Sequence, residues 1–394
     1  MFKINSNRSI FDIITKSIML FVIIFYGNYF FSQKTLNFSF EKITETTINT
    51  EEEISFIHGN NDLVLFYHNY VKDKLNIYNI ESELVYTIDS ERINNKNIKS
   101  ICFFDNRLLI NVFHESFVFN LINSEFVFNK GINHEYETGL FLDSNNILFY
   151  RNYNYHPNDK TKSERSELAI YDFTLDTFKS KKSIDFNYIY YTHLISKFIS
   201  VSPNSKTIAV AQTIPYKINF YNNNLEVIDS ISVKSDNDYS KLEEITKINT
   251  FSNGGVKQVI YELSKVDKKI DRVIKTYFLN DTCLLVIKKM SKTNNNDNER
   301  NIDVWNYSNG KWDLIVKDKE YYSMFSELKG LKVVLKVPFA QSEKLLFKNN
   351  KIYTNGIYIP FNEKNTIIKI RKYLNNKDPE STNKGIYEYN YEIQ

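Results

Sequence analysis

The stretch that decides the fold is SKFISVSPNSKTIAVAQTIPYKINFYNNNLEVIDS, from Ser196 to Ser230. Its first turn, Ser202-Pro203-Asn204-Ser205, and its later run of three asparagines are both typical of tight turns between strands. The apolar and β-branched segments around these turns predict four short strands. These are Phe198–Val201, Thr207–Gln212, Lys217–Tyr221 and Leu225–Ile231. The stretch therefore predicts one small antiparallel sheet of four strands.

The third strand of this unit ends on a signature that recurs along the chain: an apolar residue, an aromatic residue, then Asn or Asp. The first two suit a strand that packs on both faces, and Asn or Asp suits a tight turn out of it. An apolar hairpin with a polar turn precedes each copy. The copies are Ile77-Tyr78-Asn79, Val118-Phe119-Asn120, Ile170-Tyr171-Asp172, Phe220-Tyr221-Asn222 and Val304-Trp305-Asn306.

Successive signatures are separated by 41, 52, 50 and 84 residues. Repeats of about 40–50 residues with four strands each are typical of a β-propeller, although many hairpins also occur in other antiparallel β proteins. We predict an all-β β-propeller of six blades, with seven as the alternative. The gap of 84 residues is either one degenerate blade or one long insertion. Two β-like runs inside it, Lys247–Phe251 and Val256–Leu263, could form such a blade.

The composition agrees with an all-β chain and narrows the class of partner. The 394 residues include 28 Tyr and 30 Phe but only 10 Gly and 6 Pro. Aromatic residues favour strands, and the turns must rely on Asn, Asp and Ser in place of Gly. The net charge of +3 provides no basic footprint, so nucleic acid is not an expected partner.

The N-terminal segment predicts export. An apolar run from Ser17 to Phe31 follows three cations, and its length suits a signal peptide better than a membrane helix of about 20 residues. We expect a signal peptide over 1–32 and one propeller domain over 33–394, located in the periplasm or outside the cell. In the alternative, residues 17–31 stay uncleaved and anchor the protein in the inner membrane.

Three polar excursions interrupt the repeats, near 158–167, 234–271 and 291–301. Because propeller loops gather at two faces, long insertions are expected to shape a binding surface. Their expected ligand is a protein, a peptide or a glycan on one propeller face.

The two ends of the chain are predicted to close the ring together. Leu36–Ile43 and Ile386–Ile393 each have one apolar face, and an unpaired strand of this kind would be an exposed sticky edge. We expect both in one blade, beside a hairpin over Leu345–Phe361. Within that hairpin, Asn355-Gly356 is a strong signal for a two-residue turn.

Catalytic chemistry was sought and not found. The motifs of serine hydrolases, zinc peptidases, and nucleotide- or dinucleotide-binding loops are absent, so no catalytic residue, cofactor or metal is predicted. The two cysteines, Cys102 and Cys283, lie in apolar strands and are expected to be buried rather than paired. The six histidines are scattered, and we expect surface or core roles for them. They are His58, His68, His114, His134, His156 and His193.

The segment ISVSPNSKTIAVA resembles the S-P-[DN]-x-x-x-[ILV]-A-[VF] strand turn of TolB-like six-bladed propellers. The leader, which ends in FFSQ, resembles export signals of Bacteroidetes bacteria, which encode many such exported proteins. The resemblance covers the unit from Ser196 best and lapses beyond Gly330. It implies architecture, and it transfers no catalytic residue.

Two functions remain open from the sequence. We favour a monomeric, non-enzymatic binding or scaffold module. The alternative is a propeller-fold hydrolase or lyase acting on carbohydrate, with carboxylates converging on the channel mouth. The candidate carboxylates are Asp105, Asp143, Asp172 and Asp303.

Overall fold

The fold of the protein is that of a computed structural model. The described residues are 34, 36–45, 54–60, 63–68, 74–78, 84–89, 91–93, 98–112, 114–136, 138–151, 166–184, 199–212, 216–233, 258, 262, 272–289, 300–320, 334–335, 345–348, 350–358 and 383–393.

These residues form 25 strands in six antiparallel sheets. The chain begins with β1 (Leu36–Glu45). Sheet 1 then contains β2 (Ile54–Asn60), β3 (Leu63–His68), β4 (Lys74–Tyr78) and β5 (Leu84–Asp89). Sheet 2 contains β6 (Ser100–Phe104), β7 (Arg107–Val112), β8 (Glu115–Ile122) and β9 (Glu125–Asn133). Sheet 3 contains β10 (Thr138–Phe141), β11 (Asn146–Arg151), β12 (Ser166–Asp172) and β13 (Thr177–Ile184).

The second half of the chain repeats the arrangement. Sheet 4 contains β14 (Ile199–Val201), β15 (Ile208–Gln212), β16 (Lys217–Tyr221) and β17 (Val227–Ser232). Sheet 5 contains β18 (Arg272–Asn280), β19 (Cys283–Lys289), β20 (Arg300–Ser308) and β21 (Lys311–Glu320). Sheet 6 contains β22 (Val334–Leu335), β23 (Leu345–Lys348), β24 (Lys351–Tyr358) and β25 (Asn383–Ile393), with β1 added at its edge.

The burial of each strand follows its place in the sheet. The second strand of sheet 4, β15, is buried at all five positions, which explains why its sequence, IAVAQ, is almost entirely apolar. The outermost strand of sheet 2, β9, alternates between exposed and half-buried positions along most of its length. A strand with one solvated face needs alternation, whereas a strand covered on both faces does not. The pattern of apolar residues along a strand, continuous or alternating, therefore indicates whether the strand lies inside its sheet or at its outer edge.

Successive sheets pack face to face through apolar clusters. Separate clusters join sheet 1 to sheet 2, sheet 2 to sheet 3, sheet 3 to sheet 4, and sheet 4 to sheet 5. The innermost strand β18 contacts β23, and β2 contacts both β23 and β24, so sheet 6 touches both sheet 5 and sheet 1. The architecture is that of a β-propeller, in which four-stranded sheets pack in sequence.

The predicted placement of the two terminal strands in one sheet is confirmed, and the two strands also pair directly. β1 pairs antiparallel with β25, from Leu36 opposite Ile393 to Glu45 opposite Gly385. β25 in turn pairs with β24 of the neighbouring hairpin. Both edges of β25 are therefore hydrogen-bonded, and the first strand of the chain completes the sheet that its last strand belongs to.

The predicted turn at Asn355-Gly356 is wrong. β24 runs without interruption through both residues, and they pair with Ile386 and Gly385 of β25. The chain turns earlier, at Asn350, which has a positive φ of 59°. An Asn-Gly pair permits a hairpin but does not compel one, and pairing with β25 holds these residues extended.

Among the described residues of the gap of 84, no sheet separates sheets 4 and 5. These two sheets pack directly, and Ser200 Oγ lies 3.1 Å from Thr276 Oγ1 across their seam. The run Val256–Leu263 was also misassigned as β-like, because the two residues that the structure describes there, Gln258 and Glu262, are helical. The run Lys247–Phe251 lies outside the described residues.

Because glycine is scarce in this chain, other residues occupy the turn positions that need a positive φ. Several non-glycine residues adopt the left-handed conformation at hairpin turns, and Asn and Asp, which tolerate it best, predominate among them. Examples are Asp105 at φ 49°, Asn309 at φ 52° and Asn350 at φ 59°. Asn and Asp thus take the positions that glycine occupies in many hairpins.

Candidate binding surface

The two ends of the sheets differ in the length of their connections. In each of sheets 1 to 5, the first–second and third–fourth connections lie at one end and contain no more than six residues. We call this the short-turn end. Neighbouring sheets present it on the same side, since Arg107 contacts Ser144 and Asn204 N donates to Asp281 Oδ1 across two seams. The opposite end is called the long-connection end.

The strands that flank the three predicted insertions all meet them at the long-connection end. The connection after β11 spans 152–165, the one after β17 spans 233–271, and the one after β19 spans 290–299. The sequence located these segments but could not assign them to one end. That assignment follows from the strand order, because each insertion follows a second or a fourth strand.

Charged and aromatic side chains hold the root of the first insertion. Arg151, the last residue of β11, lies opposite Glu167 of β12 and forms ion pairs with Glu135 and Glu167. Its guanidinium lies 5.5 Å from the centre of the Tyr136 ring, and Tyr136 OH donates to Glu167 Oε1 at 2.6 Å. The insertion therefore begins and ends at residues that are already fixed to one another.

A buried polar network lies beneath this root, at the seam between sheets 2 and 3. Asn111 is fully buried, and its Nδ2 donates to Ser100 Oγ at 2.7 Å and to the Gly139 carbonyl at 2.9 Å. Ser116 Oγ donates to Asn111 Oδ1 at 2.6 Å and lies 2.6 Å from His134 Nε2. One amide side chain thus ties three strands of sheet 2 to the first strand of sheet 3.

The Ser116–His134 contact has the spacing of a catalytic pair but the wrong protonation. Tyr136 N donates to His134 Nδ1 at 3.0 Å, so the proton of the neutral ring must lie on Nε2. His134 therefore donates to Ser116 and cannot take its proton, as a general base would have to. Burial, followed by the charge of His114, lowers the pKa of His134 to about 4 and keeps the ring neutral. The pair is structural, as we expected for a core histidine.

The seam between sheets 4 and 5 contains charges at the same end. Lys288 Nζ lies 2.8 Å from both oxygens of Asp303 and 2.5 Å from Asp318 Oδ1. Register shifts flank Asp303, and Asp318, at φ 54°, donates its backbone N–H to Asp303 Oδ1. The bulged pairing of β20 with β21 turns both carboxylates toward one buried ammonium group.

Tyr216 of sheet 4 joins this charged group to the neighbouring sheet. Its hydroxyl accepts a hydrogen bond from Trp305 Nε1 at 2.8 Å and also bonds to Asp303. Burial, and then the negative charge of Asp303, raises the pKa of Tyr216 well above its ordinary value. Tyr216 therefore stays a neutral hydrogen-bonding group across the seam.

The structure does not bring the four predicted carboxylates together. Asp143 Oδ1 accepts from the backbone of Asn145 and Asn146, and Asp172 Oδ1 accepts from the backbone of Thr174 and Leu175. Asp105 occupies a turn between β6 and β7. These three residues shape turns at the short-turn end, whereas Asp303 is buried in sheet 5.

The cysteines are buried, and the one further histidine whose side chain the structure describes lies at the surface; both places agree with the sequence-based expectations. Cys102 and Cys283 are both free and buried, and burial raises the pKa of each thiol to about 12. His114 is exposed on the β7–β8 turn. The side chains of His58 and His68, and all of His156 and His193, lie outside the described residues. Within the described part of the chain, no three His, Cys, Asp or Glu residues are grouped to hold a metal ion.

Neither network could be predicted from residue spacing. His134 and Ser116 are 18 residues apart, and Lys288 and Asp303 are 15 apart, so neither spacing matches a known motif. Asp303 was considered only as a catalytic carboxylate. The one available signal is the pair of lysines that ends the apolar strand CLLVIKK, because a lysine that is buried there requires a charged partner.

No family model and no curated protein matches the sequence. Solved structures do match the fold. A candidate exported protein from Bacteroides fragilis NCTC 9343 is 13% identical, with a TM-score of 0.52, over 92% of this chain and 96% of that one. A member of the DUF4221 family from Bacteroides vulgatus ATCC 8482 is 9% identical, with a TM-score of 0.53, over 92% and 99%. The chain thus shares its overall fold with proteins of Bacteroides.

Structures of propeller domains from eukaryotes also match, at lower similarity. The β-propeller domain of Cps50 (Swd1) from Myceliophthora thermophila is 10% identical, with a TM-score of 0.44, over 80% of this chain and 82% of that one. In the described part of the chain, none of the helices is both long and apolar enough to span a membrane.

Proposed function

We propose that this protein is an exported, non-enzymatic six-bladed propeller that binds a protein partner with its long-connection end. The observation that carries the proposal is the asymmetry between the two ends. All three insertions leave the sheets at one end, while the connections at the other end of sheets 1 to 5 contain no more than six residues. Binding residues are concentrated on loops that a rigid scaffold positions, and here the scaffold provides one such surface.

The charges of the insertions favour a protein over a polyanion. The segment 234–271 contains seven lysines and seven acidic residues. The segments 158–167 and 291–301 also contain equal numbers of basic and acidic residues. A surface with balanced charges offers no electrostatic attraction for a polyanion, but it can form mixed polar contacts with a protein or peptide.

Six blades follow if every described sheet is one blade of a closed ring. The contacts of sheet 6 with both sheet 5 and sheet 1 support this closure, and so does the pairing of β1 with β25. The TolB-like resemblance stays a prediction. A monomer is supported by the outermost strand of sheet 3, β13, where Lys179, Lys181 and Lys182 are exposed. Lysines on an edge strand oppose pairing with a second chain.

The binding proposal can be tested by photocrosslinking from each end of the molecule in the source cells. A photoreactive phenylalanine analogue would replace Glu135, 73% exposed at the long-connection end, or Leu175, 68% exposed at the short-turn end. We expect a discrete protein adduct from position 135, and none from position 175. The adduct should disappear when 234–271 is replaced by a short Gly-Ser linker. Adducts from position 175 alone would contradict the proposal, and an adduct that a glycosidase removes would indicate a glycan.

Export can be tested separately by intact mass and N-terminal sequencing of the protein recovered from the cell envelope. We expect the mature chain to begin near residue 33, because the apolar run ends at Phe31. A full-length chain in the membrane fraction would indicate the anchored alternative, and a full-length chain in the cytoplasm would exclude export.

A further inference from the structure

We propose that the buried group formed by Asn111, Ser116, His134 and Tyr136 is an acid-sensitive latch. When His134 takes up a proton, the seam between sheets 2 and 3 opens locally at the long-connection end, while the seam between sheets 5 and 6 stays closed. We call this group the His134 latch. The proposal concerns a regulatory property of the fold and does not depend on the identity of a ligand.

The hydrogen bonds to the two ring nitrogens of His134 fit the neutral ring, and burial outweighs the backbone hydrogen bonds at His134 and Tyr136 that favour the charged ring. Nδ1 accepts from Tyr136 N at 3.0 Å, and Nε2 donates to Ser116 Oγ. A second proton must go on Nδ1, where it would face the backbone N–H of Tyr136, and two donors cannot share that position. Protonation therefore breaks the contact that shapes the connection between β9 and β10.

In the described part of the chain, no carboxylate is paired with His134. The residue is 8% exposed, and its ring lies 4.5 Å from the centre of the Phe149 ring. The charged and titratable groups that the structure describes on the surrounding elements are His114 on the β7–β8 turn, Glu115 at the start of β8, Glu135 and Tyr136 on the same connection, Arg151 on β11 and Glu167 on β12. Glu135 and Glu167 are both paired with Arg151, and the charge of His114 opposes a second positive charge.

Opening of the latch would break contacts in both sheet 2 and sheet 3. Asn111 connects Ser116 to the Gly139 carbonyl, which belongs to sheet 3. Tyr136 is bonded to Glu167, which holds the root of the 152–165 insertion. Loss of the Tyr136–His134 contact would therefore release the insertion root together with the seam.

The two native cysteines report on two different seams. Cys102 belongs to the apolar cluster between sheets 2 and 3. Cys283 alternates with Leu284, which packs toward sheet 4, and lies on the other face of β19 near Tyr391 of sheet 6. Labelling takes place in the open forms, where both thiols are exposed to solvent, so their intrinsic reactivities change alike with pH. The ratio of their labelling rates therefore isolates opening of the first seam from the general effect of acid.

The direction of the pH effect follows from proton linkage. The closed latch binds the proton with a pKa of about 4, whereas an exposed histidine has a pKa of 6.5. The open form therefore binds more protons between these values, so the latch is fully closed above pH 6.5 and is progressively lost toward pH 4. Between pH 8 and pH 5 the opening equilibrium should rise about 30-fold.

The experiment is labelling of the native protein with dithiodipyridine, which reacts in acid, and quantification of each modified cysteine by peptide mass spectrometry. We expect the rate at Cys102, relative to that at Cys283, to rise about 30-fold from pH 8 to pH 5. His134→Gln should remove this rise, and His114→Gln, at the exposed neighbour, should retain most of it. An unchanged ratio in the wild-type protein would overturn the proposal, and so would an equal rise at both cysteines, since that indicates global unfolding. These wild-type outcomes decide the matter even where His134→Gln folds poorly.

Discussion

The seam between sheets 2 and 3 and the seam between sheets 4 and 5 solve the same problem with different chemistry. Both must join two sheets at the end where the long insertions begin. The first uses a neutral chain of hydrogen bonds through Asn111, Ser116 and His134. The second uses a buried ammonium group between two carboxylates, joined to sheet 4 through Tyr216.

The difference predicts how each seam fails. When one member of a neutral network is removed, the protein loses the stability that its hydrogen bonds contribute. When a member takes up a proton, the hydrogen bonds that need the neutral form are broken. A buried ion pair fails when either charge is left alone, because the desolvated partner has no compensation. The four variants below separate these two behaviours.

The largest effect is expected from Lys288→Met. This change leaves Asp303, which is 1% exposed, without its counter-charge and should lower the free energy of unfolding by about 3–5 kcal/mol. Urea denaturation measures the change. The double variant Lys288→Met, Asp303→Leu should recover much of the loss, because it leaves no unpaired charge at that pair.

A matched control for this experiment is Lys311→Met, which removes the exposed ion pair between Lys311 and Asp313. Exposed pairs of this kind contribute little, so the midpoint should hardly move. If Lys288→Met behaved like Lys311→Met, the charged seam would not be held by its ion pair.

Gly139→Ala tests how closely the neutral seam is packed. A Cβ at this position would lie 2.6 Å from Asn111 Oδ1 and 2.8 Å from Phe149 Cε1, both on buried side chains. Overpacking of this type costs about 1–3 kcal/mol, which thermal or urea denaturation would show. Gly131→Ala is the control, since its nearest neighbour, Glu115 Oε1, is 3.4 Å away. Equal effects of the two alanines would mean that sheet 3 does not approach Asn111 this closely.

Ser116→Ala removes the middle of the neutral chain. Both His134 Nε2 and Asn111 Oδ1 lose a partner, and we expect a loss of about 1–2 kcal/mol in the free energy of unfolding. The change should also weaken the pH dependence of Cys102 labelling, because the latch is then partly open at neutral pH. A stability equal to that of the wild type would show that water replaces the hydroxyl without loss.

The smallest effect is expected from Tyr216→Phe. The ring and its packing stay, while Trp305 Nε1 loses its acceptor and Asp303 loses one hydrogen bond. A loss of about 1 kcal/mol in urea denaturation is expected for one such group. A loss as large as that of Lys288→Met would mean that Tyr216, and not the ammonium group, holds the charged seam.

Much of the fold could be predicted because its strands and turns depend on nearby residues, namely apolar runs and turn-forming side chains. Strands were predicted at Thr207–Gln212 and Lys217–Tyr221, and β15 and β16 are found at Ile208–Gln212 and Lys217–Tyr221. The fourth strand begins at Val227, two residues later than predicted, because Leu225 adopts a positive φ of 61° inside the turn. The errors at Asn355-Gly356 and Val256–Leu263 arose where a local signal allowed two outcomes.

The sequence by itself determined the β-class of this protein, its repeating units, its turns and the segments that interrupt them. Each of these depends on residues within about ten positions of one another, where alternation and turn chemistry act directly. Only the tertiary structure decided the register in which β1 pairs with β25, that the insertions share one end, and that His134 and Lys288 lie in buried networks. Those outcomes depend on which sheets meet and on the register in which their strands pair. Contacts between distant segments produce no repeating pattern in the amino-acid sequence from which they could be predicted.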